Sequence, residues 1–400
     1  MSILNGQNVL LGVSASIAAY KSAELVRCFV KLGANVQVIQ TSTSKDFVTP
    51  LTLSTLSKKP VLSTLTKEED KDLWNNHVEL GLWADIFVIA PASSKTLSKM
   101  ASGECDNLLL TTYMSAKCSV FFAPAMDLDM YQHPSTKSNI KKLVSFGNLL
   151  IPPGDGELAS GLVGKGRMAE PNEIVGFIEN HLNSNLPLNG KKMLVTAGPT
   201  YEAIDPVRFI GNHSSGKMGI AIAKSLADLG AKVELVIGPS NIVLKHKNIK
   251  RTDVVNSTQM FEVCSSVYDE MDAAILTAAV ADYKAKDIAK SKIKKKDQKL
   301  NIDLEPTIDI LYYLGKHKKN QILVGFSLET DNEEENAKLK VIKKNLDFIV
   351  LNSLNDKGAG FKHDTNKVSI IDKDNIIKRF ELKSKDEVAK DIVSHLIKLL

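Results

Sequence analysis

The chain opens the same β-α-β construction twice. The first opening runs Gly6-Gln-Asn-Val-Leu-Leu-Gly-Val-Ser-Ala-Ser16, then a helical stretch stopping at Leu32-Gly33-Ala34, then Val36-Gln-Val-Ile39. The second runs Gly190-Lys-Lys-Met-Leu-Val-Thr-Ala-Gly198, then a helical stretch stopping at Leu229-Gly230-Ala231, then Val233-Glu-Leu-Val-Ile237. In each, a glycine can take the left-handed conformation that ends a helix. Units of this kind build parallel sheets, so the expected class is α/β, with two Rossmann-like doubly wound domains. A chain of 400 residues is also too long for one core, and two domains of about 200 residues each are expected. The breaker-rich stretch Asn183-Ser-Asn-Leu-Pro-Leu-Asn-Gly190 separates the openings. It sets the expected domains at 1–186 and 190–400.

Open α/β sheets bind ligands beyond the C-terminal ends of their strands. Four further buried strands are expected to run into such turns. Ile86-Phe-Val-Ile-Ala90 leads to Pro91-Ala-Ser-Ser94, and Val120-Phe-Phe-Ala123 to Pro124-Ala-Met-Asp127. Ala273-Ala-Ile-Leu276 and Ile322-Leu-Val-Gly325 do the same in the second half.

Charge and cysteine usage exclude several classes. With 51 basic and 46 acidic residues, the net charge of +5 is too mild for a general nucleic-acid binder but suits small anionic substrates. Cys28, Cys105, Cys118 and Cys264 show no C-x-x-C spacing, so zinc is unsupported, and their scatter fits a reducing compartment. The short apolar run Val9–Val13 lacks a basic flank, and no segment is apolar over the length of a bilayer. The expectation is a cytoplasmic protein with no membrane partner.

Read alone, the individual features have bland explanations. Ser14-Ala15-Ser16 before a helix near Ile17 can cradle a phosphate or merely cap the helix. It is not G-x-G-x-x-G, so a dinucleotide is not indicated. His77 is an ordinary surface histidine on its own. Pro124–Met130 can be a simple strand exit, and Gly164-Lys-Gly-Arg167-Met168 a loop with a solvated arginine. Gly211-Asn-His-Ser-Ser-Gly216-Lys217 fits seven positions of a Walker A loop. Its eighth residue is Met218, where magnesium binding needs Ser or Thr, and the stretch sits more than about ten residues past its strand. It is not a P-loop, although Ser214, Ser215 and Gly216 can offer N–H groups to a phosphate. Lys284–Lys299 carries eight lysines against Asp287 and Asp297. It reads as a solvated loop or, following Ala278-Ala-Val-Ala-Asp282 at a strand end, as a lid over polyphosphate.

Taken together and in order, the first-half segments resemble the homo-oligomeric flavin-containing cysteine decarboxylases. The resemblance rests on Gly12-Val-Ser-Ala-Ser-Ile-Ala-Ala-Tyr-Lys21, His77-Val-Glu-Leu80, Ala90-Pro-Ala-Ser93, Pro124-Ala-Met126 with Met130, and Gly166-Arg-Met168. It implies a flavodoxin-like domain with FMN held by Ser14, Ser16, Thr41, Pro91, Ala92 and Ser93. It also implies substrate contacts at Arg167 and Met168, and catalytic roles for His77 and for the residues at positions 127 and 160. In that family the thiol-bearing carbon is oxidised to a thioaldehyde, carbon dioxide departs to an enethiolate, and the reduced flavin returns the hydride. Two positions depart from the pattern. Asp127 stands where asparagine is usual, putting a carboxylate beside a substrate carboxylate. Ser160 stands where a flap cysteine usually protonates the enethiolate, and a hydroxyl is a far weaker acid than a thiol, whose pKa is about 8.5. Ala15-Ser16 also replaces a frequent glycine pair.

The second half resembles phosphopantothenate–cysteine ligase. The carriers are Thr196-Ala-Gly-Pro-Thr200, Asp205-Pro-Val-Arg208, Asn212-His-Ser-Ser-Gly-Lys-Met-Gly219, Ala278-Ala-Val-Ala-Asp-Tyr283, Lys292-Ile-Lys-Lys295, and Val324-Gly-Phe326 with Glu329-Thr330. The resemblance implies attack of the 4′-phosphopantothenate carboxylate on the α-phosphate of CTP, then displacement of the nucleotide by cysteine's amine. It assigns Asn212 to the cysteine step, Lys292 to the developing phosphate charge and Arg208 to the substrate phosphate. It assigns Leu276, Thr277, Ala278, Asp282, Ile308, Asp309, Ile310, Leu311, Phe326, Lys340 and Lys344 to the nucleotide. Mg2+ is implied, with unknown ligands. Glu305-Pro-Thr-Ile-Asp309 replaces the usual Asn-Pro-Asp turn. The fused order matches the bifunctional bacterial enzymes of coenzyme A biosynthesis, whose intermediate is phosphopantothenoylcysteine. Trimers of the flavin domain and dimers of the ligase domain, combining to a dodecamer, are implied as well. One alternative stays open, an active ligase fused to an impaired or regulatory flavin domain; an NAD(P)-linked reductase, suggested by the repeated Rossmann-like openings, fails for want of the glycine fingerprint.

Overall fold

The computed structural model describes residues 2–66, 74–294, 300–329, 331–353 and 364–400. Lys295 and Thr330 of the motifs above, and the end of the lysine run at 295–299, lie outside the described residues. The chain divides into two compact units, Met1–Asn183 and Ser184–Leu400. Part of the expected linker belongs to the second unit: Leu188 is buried in its core, and its N–H reaches the Leu229 carbonyl at 2.9 Å.

The first unit is built on five parallel strands: β1 (Asn8–Val13), β2 (Asn35–Gln40), β3 (Ile86–Ala92), β4 (Ser119–Pro124) and β5 (Leu149–Leu150), in the order β2-β1-β3-β4-β5. The strands read as continuous apolar runs because both faces are covered. Alternation still sorts the side chains. Val9, Leu11 and Val13 face one core with Val36, Val88 and Phe121. Leu10 faces the other with Phe87, Ile89 and Phe122. Each such full burial contributes roughly 1.5–3 kcal/mol. The helix Lys21–Lys31 lays Leu25, Val26 and Phe29 on the first face and ends before Gly33, whose φ is +86°. A hairpin, β6 (Gly154–Glu157) with β7 (Val163–Arg167), carries residues 158–162 at its tip.

The second unit repeats the plan on a wider sheet. In chain order its strands are β8 (Lys192–Ala197), β9 (Tyr201–Ala203), β10 (Phe209–Gly211), β11 (Lys232–Ile237), β12 (Ile249–Asp253), β13 (Ala273–Leu276), β14 (Tyr283–Ala285) and β15 (Leu304–Pro306). They continue with β16 (Ile322–Glu329), β17 (Phe348–Ser353), β18 (Thr365–Asn366), β19 (Val368–Asp372), β20 (Ile377–Arg379) and β21 (Lys383–Ser384). The main sheet is ordered β12-β11-β8-β13-β16-β17-β19-β20, parallel as far as β17 and antiparallel beyond. Met193, Val195 and Ala197 face one core and Leu194 the other. The helix after the second opening, Lys217–Asp228, ends before Gly230 with φ +99°.

One expected strand end is corrected. Ile322–Gly325 does not run into a turn; β16 continues to Glu329, because Phe326 to Glu329 pair in register with Val350 to Ser353 of β17. Phe326 is therefore a strand residue. No described helix is long and apolar enough to cross a membrane.

Candidate active sites

Each sheet reverses its winding once, and a site is expected in the crevice beyond the two strands that flank the reversal. In the first unit these are β1 and β3. The Ser14 hydroxyl donates to the Pro91 carbonyl at 2.8 Å and accepts the Ser93 N–H at 2.9 Å. Ser93 in turn caps the helix Ser94–Ser102, and Ser16 caps the turn Ile17–Tyr20. At the end of β2 and just after it, two buried polar atoms have no hydrogen-bond partner among the described residues, Gln40 Oε1 and Thr41 Oγ1. Capping serines and orphaned polar atoms at the strand ends fit a polar, phosphate-bearing cofactor.

Beside this crevice lies a cavity lined by Ser16, Tyr20, Lys21, Asp127, Ser160, Arg167 and Met168, among others. The structure thus brings Ser16, Asp127, Ser160, Arg167 and Met168 together. Ser160 sits at the tip of the β6–β7 hairpin. Asp127 Oδ1 accepts its neighbour's N–H, from Leu128, at 2.6 Å. Glu170 was not singled out in the sequence. Its Oε1 accepts from Lys21 Nζ at 2.9 Å and from Arg167 Nη2 at 2.6 Å. The Lys21 hydrogen bond outweighs burial and holds the Glu170 carboxyl below the usual carboxylate range. Glu170 therefore fixes Arg167 beside the cavity. His77 does not line it. It lies at the start of the helix His77–Trp83, edge-on to Trp74 at 5.3 Å, with Nδ1 buried and unpartnered among the described residues.

In the second unit the reversal falls between β8 and β13. The Thr277 hydroxyl donates to the Thr196 carbonyl at 2.6 Å, and Thr196 Oγ1 accepts the Ala278 N–H at 3.2 Å. Asn212 Nδ2 donates to the carbonyls of Ala279 and Val280 at 3.2 and 3.1 Å. These bonds fix the loop after β13 against the loop after β10. The helix Lys217–Asp228 packs so closely here that a Cβ on Gly219 would lie 2.5 Å from both Ala197 Cβ and Thr277 Oγ1.

The resulting cavity, ≈ 440 Å³, gathers Asn212, Leu276, Thr277, Ala278, Asp282, Ile308, Asp309, Ile310, Leu311, Phe326 and Lys344. Asp309 caps the helix Ile310–Lys316 and pairs with Lys344 at 3.0 Å. Lys340 does not line the cavity but donates to Ser327, which does, at 2.9 Å. Gly211 ends β10, which lies in a two-stranded sheet with β9 outside the main sheet, and Gly216, at φ +79°, precedes the helix directly; the local order is that of a P-loop, but Met218 stands where its Ser or Thr would.

Arg208 and Lys292 are also absent from the cavity wall. Arg208 Nη2 instead donates to the Ile293 carbonyl at 3.0 Å. Asp205, fully buried, accepts the N–H groups of Val207, Arg208 and Ile293 at 2.8, 2.8 and 3.1 Å. Burial pushes its carboxyl up, but those three donors prevail and hold it below the usual range. Lys292 thus sits, exposed, beside an anchored residue of the lysine-rich excursion between β14 and β15. No group of three or more metal-ligating side chains occurs among the described residues.

Comparison with known proteins places both units. Residues 2–183 match the family described as flavoprotein, and residues 188–400 the DNA/pantothenate metabolism flavoprotein C-terminal domain. The chain is 43% identical over 399 residues to the coenzyme A biosynthesis bifunctional protein CoaBC of Bacillus subtilis (strain 168), covering 99% of this chain and 98% of that one. It is 40% identical over 395 residues to the protein of the same name from Haemophilus influenzae, covering 98% of each. It is 53% identical over 358 residues to a cysteine/cysteine sulfinic acid decarboxylase of an unknown prokaryotic organism, covering 88% of this chain and 99% of that one.

Proposed function

Since the chain belongs to the family of bifunctional coenzyme A biosynthesis proteins, a flavin decarboxylase unit followed by a ligase unit, we propose a division of labour between its two strand-end sites. The second unit joins cysteine to 4′-phosphopantothenate using CTP, and the first decarboxylates the product to 4′-phosphopantetheine with FMN. The observation that carries this reading is the β8–β13 cavity, where Asn212, Asp282, Asp309, Phe326 and Lys344 converge.

In the ligase site, the phosphopantothenate carboxylate attacks the α-phosphate of CTP and pyrophosphate leaves. Cysteine's amine then displaces cytidine monophosphate from the acyl carbon. Asn212, with its amide nitrogen committed to two carbonyls, keeps its oxygen as the acceptor for that amine. Thr277, Ala278, Asp282 and the stretch Ile308–Leu311 hold the nucleotide, with Phe326 on one wall and Lys340 and Lys344 beyond it. Lys292, exposed beside the anchored Ile293, stabilises charge building on phosphorus, where Mg2+ accompanies the triphosphate. Arg208 acts on the phosphate-bearing substrate through the guanidinium donors that Ile293 does not take. The test is direct. The full chain with phosphopantothenate, cysteine, Mg2+ and CTP releases pyrophosphate and forms phosphopantothenoylcysteine by mass; no pyrophosphate and no product with CTP or any other nucleoside triphosphate defeats the reading.

In the flavin site, Ser14, Ser16, Thr41, Pro91, Ala92 and Ser93 hold FMN, in keeping with the orphaned Thr41 hydroxyl and the Ser14 bonds. Bound there, the flavin supplies the electron sink that decarboxylation of an amide-linked cysteine lacks. Arg167 binds the substrate's anionic end, Met168 packs beside it, and Ser160 closes over it from the hairpin. His77, set apart from this cavity, joins a site through a second copy. Exposed Trp74, Val78 and Leu82 around it favour a trimer through this unit, which with dimers of the ligase unit makes a dodecamer in the cytoplasm.

A second substrate has its own support. Asp127 and Arg167 set an anion and a cation in one cavity. Free cysteine is a zwitterion and matches both, whereas the amide nitrogen of phosphopantothenoylcysteine carries no charge. Anaerobic incubation followed by mass analysis separates the cases. Phosphopantetheine marks the coenzyme A substrate, 2-aminoethanethiol marks free cysteine, and neither marks an impaired flavin half.

A further inference from the structure

Asp282 lines the ligase cavity, yet its carboxylate makes no hydrogen bond or ion pair among the described residues. Its main chain therefore decides where it points. That main chain is held by two threonines that have no part in the steps above. Thr200, fully buried just past β8, accepts the Ala281 N–H on its Oγ1 at 3.0 Å. Thr307, just past β15, donates its hydroxyl to the Ala281 carbonyl at 2.6 Å and its N–H to the Asp282 carbonyl at 2.9 Å. Those two carbonyls belong to the peptide planes on either side of Asp282. A residue has only two soft backbone dihedrals, so planes held on both sides leave Asp282 one main-chain conformation. Thr200 fixes the preceding plane, and its own N–H donates to the Ala279 carbonyl at 3.3 Å. Ala281, between the two hydroxyls, is buried, where a peptide group that loses its partner is expensive.

We propose that Thr200 and Thr307 are positioning residues for the ligase reaction: together they hold the Ala281–Asp282 main chain so that the Asp282 carboxylate faces the nucleotide. The inference rests on the ligase reading, in which Asp282 contacts CTP. The two threonines come from separate loops and do different work. Thr200 ties Asp282 to the loop after β8, where the sheet reverses its winding. Thr307 ties it to the turn that leads into Ile308–Leu311, so one side chain sets the carboxylate against that nucleotide-holding stretch. Every one of these bonds is made by a hydroxyl or a main-chain group. The methyl group of either threonine is therefore dispensable to the hold, and the hydroxyl is not.

Calorimetry with CTP and Mg2+, without phosphopantothenate, reads the effect on the full-length protein in the absence of turnover. Thr307→Val and Thr200→Val keep the outline of the side chain and lose the hydroxyl. Each weakens CTP binding about tenfold or more, and raises the KM for CTP to match while the KM for cysteine stays where it was. Thr307→Ser and Thr200→Ser keep the hydroxyl and bind CTP as the unaltered protein does. A merely structural role would lower the melting temperature without separating the two KM values. Because the threonines act through Asp282, their loss is not additive with that of the carboxylate: in an Asp282→Ala background, Thr307→Val weakens CTP binding no further. Full additivity overturns the proposal, since it means that Thr307 touches the nucleotide itself. Unchanged CTP binding in both valine variants overturns it too, as does a loss that serine fails to restore. Should fully buried Thr200 not tolerate valine, judged by far-ultraviolet circular dichroism, partly exposed Thr307 and its cycle with Asp282 still decide. If the unaltered protein binds no nucleoside triphosphate, the ligase reading falls and the inference with it; CTP binding that needs Asp282 and ignores both threonines defeats the positioning alone.

Discussion

Ser14 Oγ accepts the backbone N–H of Ser93 at 2.9 Å, stitching the loop after β1 to the loop after β3. The same hydroxyl donates to the Pro91 carbonyl, so one side chain sets the width of the crevice. Ser14→Ala strands the Ser93 N–H in a nearly dry place, at a cost of about 1–3 kcal/mol. The expected outcome is weaker FMN retention, by about tenfold or more, with ligation intact. Flavin absorbance after gel filtration, and titration of the apoprotein, measure it.

Asp127→Asn removes the only carboxylate among the two sequence departures around the flavin cavity. If free cysteine is the substrate, the variant loses about tenfold or more in kcat/KM for cysteine, since a charge-assisted bond becomes a neutral one. If phosphopantothenoylcysteine is the substrate, the same change raises kcat/KM by removing repulsion from its carboxylate. The two signs are opposite, so a single kinetic comparison decides.

Glu170 predicts a pH dependence of stability. Its carboxyl titrates below the ordinary value of about 4.3. A depressed carboxylate pKa contributes stability that is present above the unfolded value and lost as pH falls through the folded one. The urea midpoint of the flavin unit therefore drops as pH is lowered past about 4.3, and Glu170→Gln flattens that drop. At neutral pH the variant is less stable by about 1 kcal/mol, a half-exposed pair's worth, because nearly buried Lys21 loses its anion. Chemical denaturation across pH checks both.

Gly219→Ala forces a methyl against Ala197 and Thr277. Overpacking of this kind costs about 1–3 kcal/mol. Because Thr277 is held to Thr196 at the floor of the ligase cavity, the loss extends to function: KM for CTP rises along with a lowered melting temperature. Flavin content stays the same.

Much of the plan was legible because it is local. Buried strands, glycine stops and strand-end loops each occupy a few consecutive residues, and the doubled opening announced two sheets. The exceptions are long-range. Nothing in Phe326-Ser-Leu-Glu329 marks it as strand; its pairing with Val350–Ser353 does. Lys385 belongs to no motif and enters the cavity only because the last helix packs beside Lys217–Asp228. Glu170 was passed over because its partners are Lys21, far back in the chain, and Arg167. Arg208 is the converse: position in a motif identified it, but not the carbonyl it holds.

That carbonyl has a wider consequence. Ile293 is held through its main chain, its N–H by Asp205 and its C=O by Arg208, and its side chain is half-buried. The two hydrogen bonds themselves read only the backbone, so they hold the main chain here whatever charge the neighbouring lysines carry. Lys292 is thereby set next to a fixed point of the main chain, and Asp205 and Arg208, rather than any lysine, decide where that point lies.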